Sequence, residues 1–162
     1  MAKPPRDKSL TDSRTYATTT GTWQGRSLFQ SERLARLFLD TLFNYRAQGK
    51  FAIHEFSVMP THVHLLFTVA PEITLERAMQ FIKGGFSHRA GEEVGRNKEI
   101  WQRGYVDRRI RDAVEYARWV DYIRQNSVRA GLVKSPELYP YSSAHPGFVL
   151  DPSPQGLKPE KK

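Results

Sequence analysis

"FAIHEFSVMPTHVHLLFTV" (residues 51–69) holds two runs of apolar, β-branched and aromatic residues on either side of Pro60–Thr61. Such runs around a turn-forming pair predict two strands, 51–59 and 62–69, joined as a hairpin. His62 and His64 open the second run one residue apart. Side chains alternate along a strand, so both imidazoles face one way and Val63 faces the other, into the core. Two imidazoles on one face can hold a divalent cation, but two ligands alone hold it poorly and a third donor is expected from elsewhere. Two ordinary histidines on a solvent-facing strand edge would give the same pattern. The triplet by itself leaves both readings open.

Upstream, "RTYATTTGTW" (14–23) has the composition of a strand broken by Gly21. "SERLARLFLDTLFNYRAQGK" (31–50) then sets Leu34, Leu37, Phe38, Thr41, Leu42 and Tyr45 at helical spacing, between an N-cap at Ser31 and a stop at Gly49. Downstream, "TLERAMQFIKGGFSHRAG" (74–91) predicts a second helix capped by Thr74, with Leu75, Met79, Ile82 and Phe86 on one face. Its Gly84–Gly85 pair weakens the helix or permits a close approach. "IWQRGYVDRRI" (100–110) is a fourth extended stretch. "DAVEYARWVDYIRQN" (112–126) is a third helix, opened by Asp112 with Glu115 three residues on and closed near Gly131. The order is β-α-β-β-α-β-α. The first six elements match an α+β, ferredoxin-like (RRM-like) arrangement, an antiparallel sheet with helices packed on one face, followed by a C-terminal helix.

The chain has 162 residues, enough for one domain with a sizeable core. Its net charge of +8 favours a polyanionic partner. With no cysteine, disulfides, thiolate metal sites and cysteine catalysis are excluded. No apolar run approaches the roughly 20 residues that span a membrane. "MAKPPRDKSLTDSR" lacks the apolar stretch of a secretory signal, so no membrane partner and a cytoplasmic location are expected. The proline- and charge-rich ends predict a flexible basic N-terminal tail over 1–13 and a flexible C-terminal tail over 145–162, around a domain at 14–144.

On the third helix, Trp119, Tyr122 and Asn126 share one face, while Tyr116, Val120 and Ile123 line another better suited to the core. Tyr122 and Asn126 can therefore project together. A phenol is a competent nucleophile toward phosphorus once a metal polarises the target, and an amide oxygen suits a hard cation. A half-buried aromatic and a helix-terminal asparagine are the ordinary alternatives.

Four blocks in order, "MPTHVHLL", "IWQRGYVDRRIRD", "YIRQNSVRAGLV" and "YPYSSA", resemble the REP-associated tyrosine transposases. These are relatives of the small insertion-sequence transposases that use one tyrosine and a His-hydrophobic-His (HUH) motif. The resemblance spans about Tyr16 to Ala144. It implies a ferredoxin-like fold and metal-dependent cleavage and rejoining of single-stranded DNA beside hairpins, through a covalent 5′-phosphotyrosine. Under it His62, His64 and Asn126 match the metal site and Tyr122 the nucleophile, with magnesium or manganese as the fitting cation. The chain reads "NSVRAGL" where the family usually reads "NPVRAGL".

Tyr105 is the rival nucleophile, without a ligating partner four residues on. Lys83, Arg103, Tyr105, Arg108, Arg109, Arg111 and Arg118 are the expected DNA contacts, within a basic group that also takes in Arg89, Arg124 and Arg129, with Tyr105 and Trp101 as stacking platforms for unpaired bases and Trp101 better suited to the core. His54 and His88 are expected at the surface, and Glu55 reaches the site only if its strand face matches. The alternatives are a catalytically silent module that binds hairpin DNA or RNA, and a metal-dependent nuclease that uses water. The four site residues argue against the first, and a covalent adduct separates off the second. The sequence leaves monomer or homodimer open.

Overall fold

A computed structural model of the chain describes residues 14–96 and 98–159. Its regular elements are β1 (Thr15–Gly21), α1 (Glu32–Ala47), β2 (Phe51–Val58), β3 (His62–Val69), α2 (Leu75–Val94), β4 (Val106–Ile110) and α3 (Ala113–Arg129). The helices begin where their capping residues stand. Ser31 accepts from the Leu34 amide at 3.2 Å, Thr74 from Arg77 at 3.1 Å and Asp112 from Glu115 at 2.7 Å. Gly131, at φ +74°, lies just past the end of α3 as a C′ glycine.

The four strands form an antiparallel sheet in the order β2-β3-β1-β4, as a ferredoxin-like α+β fold requires. Met59 donates to the His62 carbonyl at 2.8 Å and closes the β2–β3 hairpin. One face of the sheet is covered by α1 and α2. Its core includes Val63, Leu65 and Phe67 of β3 and a cluster of Phe29, Phe38, Phe86 and Trp101. The helices meet at Gly85, where a Cβ would collide with the Tyr45 ring and its Oη, so the glycine pair serves a close approach.

The opposite face carries His62, His64, Leu66 and Thr68 of β3. Ala17, Leu66 and Ile110 pack there against Ile123 of α3, flanked by Tyr116, Trp119 and Val120. The third helix therefore lies across the face that α1 and α2 leave open.

Three expectations change. The extended stretch 100–110 is broken: Gly104 takes φ +71°, Trp101 packs into the core with only an isolated bridge to Thr22, and regular pairing begins at Val106. His54 is buried, not at the surface, beside the bulge between Ile53 and Glu55; its Nε2 meets Thr68 Oγ1 at 2.8 Å, and burial holds its pKa low. The segment 145–159, expected as a flexible tail, packs on the domain. Phe148 stacks on Phe43 at 5.8 Å, and Asp151 accepts from Arg46 and from the Ile53 amide, both at 2.8 Å. Lys158 pairs with the backbone beside Asp112. The composition misled because Phe148, Leu150, Leu157 and Asp151 each find a built partner, while Val149 stays exposed. Residues 1–13, expected as a basic tail, and 160–162 lie outside the described residues.

Candidate active site

His62 and His64 share a face because β3 alternates, and their rings stand 4.8 Å apart, edge to face. Antiparallel pairing sets Thr19 of β1 directly opposite His64, and Thr19 Oγ1 lies 3.0 Å from His64 Nδ1. Thr61 Oγ1 stands at the same distance from His62 Nδ1. Each threonine engages Nδ1 and leaves Nε2 free of it, the arrangement in which an outer hydrogen bond orients a metal-binding imidazole. No motif marks Thr19; the strand register brings it there.

Burial lowers the pKa of both histidines. His64 is pushed down to about 4, by burial first and then by the charges of His62 and Arg129. At His62 burial also dominates, while the approaching Asn126 amide pulls the other way without completing a geometrically sound hydrogen bond. Both rings are thus neutral near pH 7 and keep a lone pair for a cation.

From α3, Tyr122 lies with its ring 5.5 Å from His64 and 5.3 Å from Trp119, while 42% of the residue stays exposed. Asn126, one turn on, is buried beneath it. Among the described residues, two buried atoms here make no hydrogen bond of sound geometry: His64 Nε2, and Asn126 Oδ1, which His62 approaches. Leaving such atoms unsatisfied costs about 1–3 kcal/mol each. One cation would satisfy both, so the donor set fits a divalent metal with imidazole and amide ligands. Among the described residues no group of three His, Asp or Glu side chains could hold a metal, so a third protein donor beside the two imidazoles would have to be of another type, such as the Asn126 amide.

The helix is held over the sheet by a group the sequence did not assign. The bulge turns Glu55 toward α3, where Arg124 Nε meets its carboxylate at 3.0 Å. Ser143 donates to the other carboxylate oxygen. Ser143 also accepts from the Phe56 amide at 2.9 Å, and Tyr139 donates to the Val58 carbonyl at 2.6 Å, so "YPYSSA" is pinned to β2. Burial raises the Glu55 pKa against the opposing pull of Ser143 and Arg124.

The geometry joins the histidine pair to Tyr122 and Asn126, and a family model described as "Transposase IS200 like" matches residues 15–126. The chain belongs to the IS200-like transposase family. Within it, the chain is 34% identical over 97 residues to the REP-associated tyrosine transposase of Escherichia coli (strain K12), covering 59% of this chain and 55% of that protein. A Haemophilus influenzae (strain Rd) protein, named provisionally as of the same kind, is 32% identical over 99 residues, covering 54% of this chain and 56% of the relative. The chain thus spans about half the length of these curated relatives. A solved REP-associated tyrosine transposase bound to a REP hairpin matches at TM-score 0.71 and 25% identity, over 90% of this chain and 84% of that one. A Deinococcus radiodurans R1 structure described as a candidate transposase shares the fold, with TM-score 0.55 and 19% identity over 76% of this chain and 95% of that one.

The expected DNA contacts of this IS200-like chain fall in two groups. Arg108, Arg111 and Arg118 line one cleft at the start of α3, joined by Lys158, which the tail reading missed. Arg108 pairs there with Glu115. The others lie away from the histidines. Lys83 donates to the Gln102 and Gly104 carbonyls at 3.1 and 2.8 Å and lies 5.9 Å from the centre of the Tyr105 ring. Tyr105 packs against the core under α1 and α2, so the rival nucleophile is on the wrong face. Arg109 pairs across the strands with Tyr16 on that side, and Arg103 sits in the loop before Gly104. Trp101 is core, and its indole donates to the Lys83 carbonyl at 3.0 Å. His88 is exposed, as expected, beside Glu92. Among the described residues, no helix is long and apolar enough to cross a membrane.

Proposed function

We propose that this protein cleaves and rejoins single-stranded DNA beside hairpins, with Tyr122 as nucleophile and His62, His64 and Asn126 as ligands of a magnesium or manganese ion. The observation that carries the reading is the pair of buried atoms without a sound hydrogen bond, His64 Nε2 and Asn126 Oδ1, beside an exposed phenol. The hairpin named with the structural relative supports the substrate class. A bound cation would polarise the scissile phosphate and draw charge from its non-bridging oxygens. The chain's own part is positional. Thr19 and Thr61 orient the rings, Glu55 and Arg124 hold α3 over them, and Trp119 and His64 confine the Tyr122 ring. Tyr122 Oη attacks in line, its proton passes to water, and the 3′ oxygen leaves as a hydroxyl. The 5′-phosphotyrosine conserves the bond, so a second 3′-hydroxyl can reverse the step and join a new strand. Arg111, Arg118 and Lys158, which line one cleft and have no carboxylate partner among the described residues, suit the backbone of the strand approaching along α3.

The test is a denaturing gel of protein incubated with 3′-labelled hairpin oligonucleotides and manganese, with chelator as control. Label retained by the wild type and Tyr105→Phe, and absent with Tyr122→Phe, is the expected result. Cleavage without a protein-bound label would overturn the tyrosine mechanism, and tight hairpin binding with no cleavage would make the chain a binding module.

A further inference from the structure

Arg129 is the last residue of α3, and neither the histidine site nor the helix cap uses it. An arginine there ordinarily donates to the last-turn carbonyls, where the helix dipole favours a cation. Arg129 instead reaches back seven residues and donates to the Tyr122 carbonyl. Its guanidinium carbon lies 4.4 Å from the centre of the Tyr122 ring. The neighbouring Arg124 is neutralised by Glu55, whereas among the described residues no carboxylate pairs with Arg129. The residue is exposed, so the N–H groups that the Tyr122 carbonyl does not use remain accessible to a ligand beside the ring they cover. Its charge also reaches the metal-ligand side of the site, being one of the influences felt by His64.

We propose that Arg129 is a further catalytic residue. One face of its guanidinium holds the Tyr122 ring while its free N–H groups donate to a non-bridging oxygen of the scissile phosphate. This rests on Tyr122 being the nucleophile. During attack the Tyr122 Oη–phosphorus bond forms and the phosphorus–O3′ bond breaks. The phenol proton goes to water, and the O3′ electron pair takes a proton from water. Negative charge builds meanwhile on the non-bridging oxygens, where a planar, permanently charged fork is best matched. A cation held over the ring face needs no rearrangement to meet that charge.

The experiment uses the full chain with manganese and 3′-labelled hairpin substrates carrying either a phosphate or a single methylphosphonate diastereomer at the scissile position. Single-turnover adduct formation and hairpin affinity are measured for wild type, Arg129→Ala and Arg129→Lys. On phosphate, Arg129→Ala is expected to slow adduct formation by about 100-fold with hairpin affinity within about threefold, and Arg129→Lys to regain about a tenth of the wild-type rate. On the diastereomer whose methyl replaces the oxygen facing Arg129, wild type and Arg129→Ala should converge to within about fivefold. A residue that only braces the helix would slow both substrates by the same factor, and that result overturns the proposal. So does an unchanged rate on phosphate. Absence of any adduct from wild type with cleavage intact would instead refute the Tyr122 mechanism beneath it.

Discussion

Replacing Arg124 by alanine removes the partner of a carboxylate whose side chain is 6% exposed, at the contact that holds α3 against β2. Breaking a fully buried ion pair by losing one member costs about 3–5 kcal/mol, because the remaining charge is left unpaired. Arg124 itself is 44% exposed, so water already screens part of the interaction and can enter when it is removed. The expected loss is therefore about 2–3 kcal/mol, or a fall of about 5–10 °C in Tm for a chain of this size. Adduct formation should fall as well, since Tyr122 and Asn126 sit either side of Arg124 on the same helix. Adding Glu55→Gln removes the buried charge and keeps a polar partner for Ser143, so the double variant should recover about half of the lost stability or more. The pH dependence has a fixed sign. Burial raises the Glu55 pKa above its ordinary 4.5, so its folded form binds a proton more tightly than its unfolded form. Its favourable contribution is complete below pH 4.5 and is lost as pH rises through the raised folded value. Without Arg124 that value rises further, so the deficit of Arg124→Ala should shrink as the pH is lowered toward 4.5. Chemical denaturation across this range is the assay. A variant within about 0.5 kcal/mol of wild type at pH 7, or a double variant no more stable than the single, would refute the reasoning.

Three other outcomes are expected. Gly85→Ala should cost about 1–3 kcal/mol by overpacking against the Tyr45 ring, whose Cε2 and Cζ would lie 2.7 and 2.9 Å from the new Cβ, and Tyr45→Ala in the same chain should cost less than it does beside Gly85; thermal melts of both single variants and the double variant check this. Asp151→Asn should lose about 1 kcal/mol at pH 7, because burial of that carboxylate is outweighed by hydrogen bonds from Arg46 and the Ile53 amide that depress its pKa below 3.8. A depressed carboxylate stabilises above its unfolded pKa, so the gap to wild type should close as pH falls below about 3.8 in urea titrations. His64→Ala and Asn126→Leu should each weaken manganese binding by about tenfold or more in calorimetry while Tyr105→Phe leaves it unchanged, and equal affinity in all of them would remove these residues from the metal site.

Much of the fold was legible because its signals are local. Ser31, Thr74 and Asp112 cap helices within three residues of themselves, and the alternation of β3 puts His62 and His64 on one side without reference to any other strand. Helical spacing likewise puts Tyr122 and Asn126 one turn apart on α3, but it does not show the burial of Asn126 with Ile123 or the packing of Trp119 in the Ile123 cluster. Tyr105 could not be placed that way. Its stretch has strand composition, but the turn at Gly104 and the packing around Lys83 decide which face it takes. His54 was misread for the same reason: a bulge shifts the register beside it, and a lone histidine carries no sign of that.

Sequence alone determined the order of elements, the caps, and the two faces that carry His62, His64, Tyr122 and Asn126, because each follows from a period of two or 3.6 residues acting over short range. Only the tertiary structure decided that these faces meet. Thr19 reaches His64 across 45 residues, Arg124 reaches Glu55 across 69, and Arg46 fastens Asp151 across 105. Such contacts are chosen by sheet register and by what each surface can bury, and a chain read residue by residue holds no local mark of either.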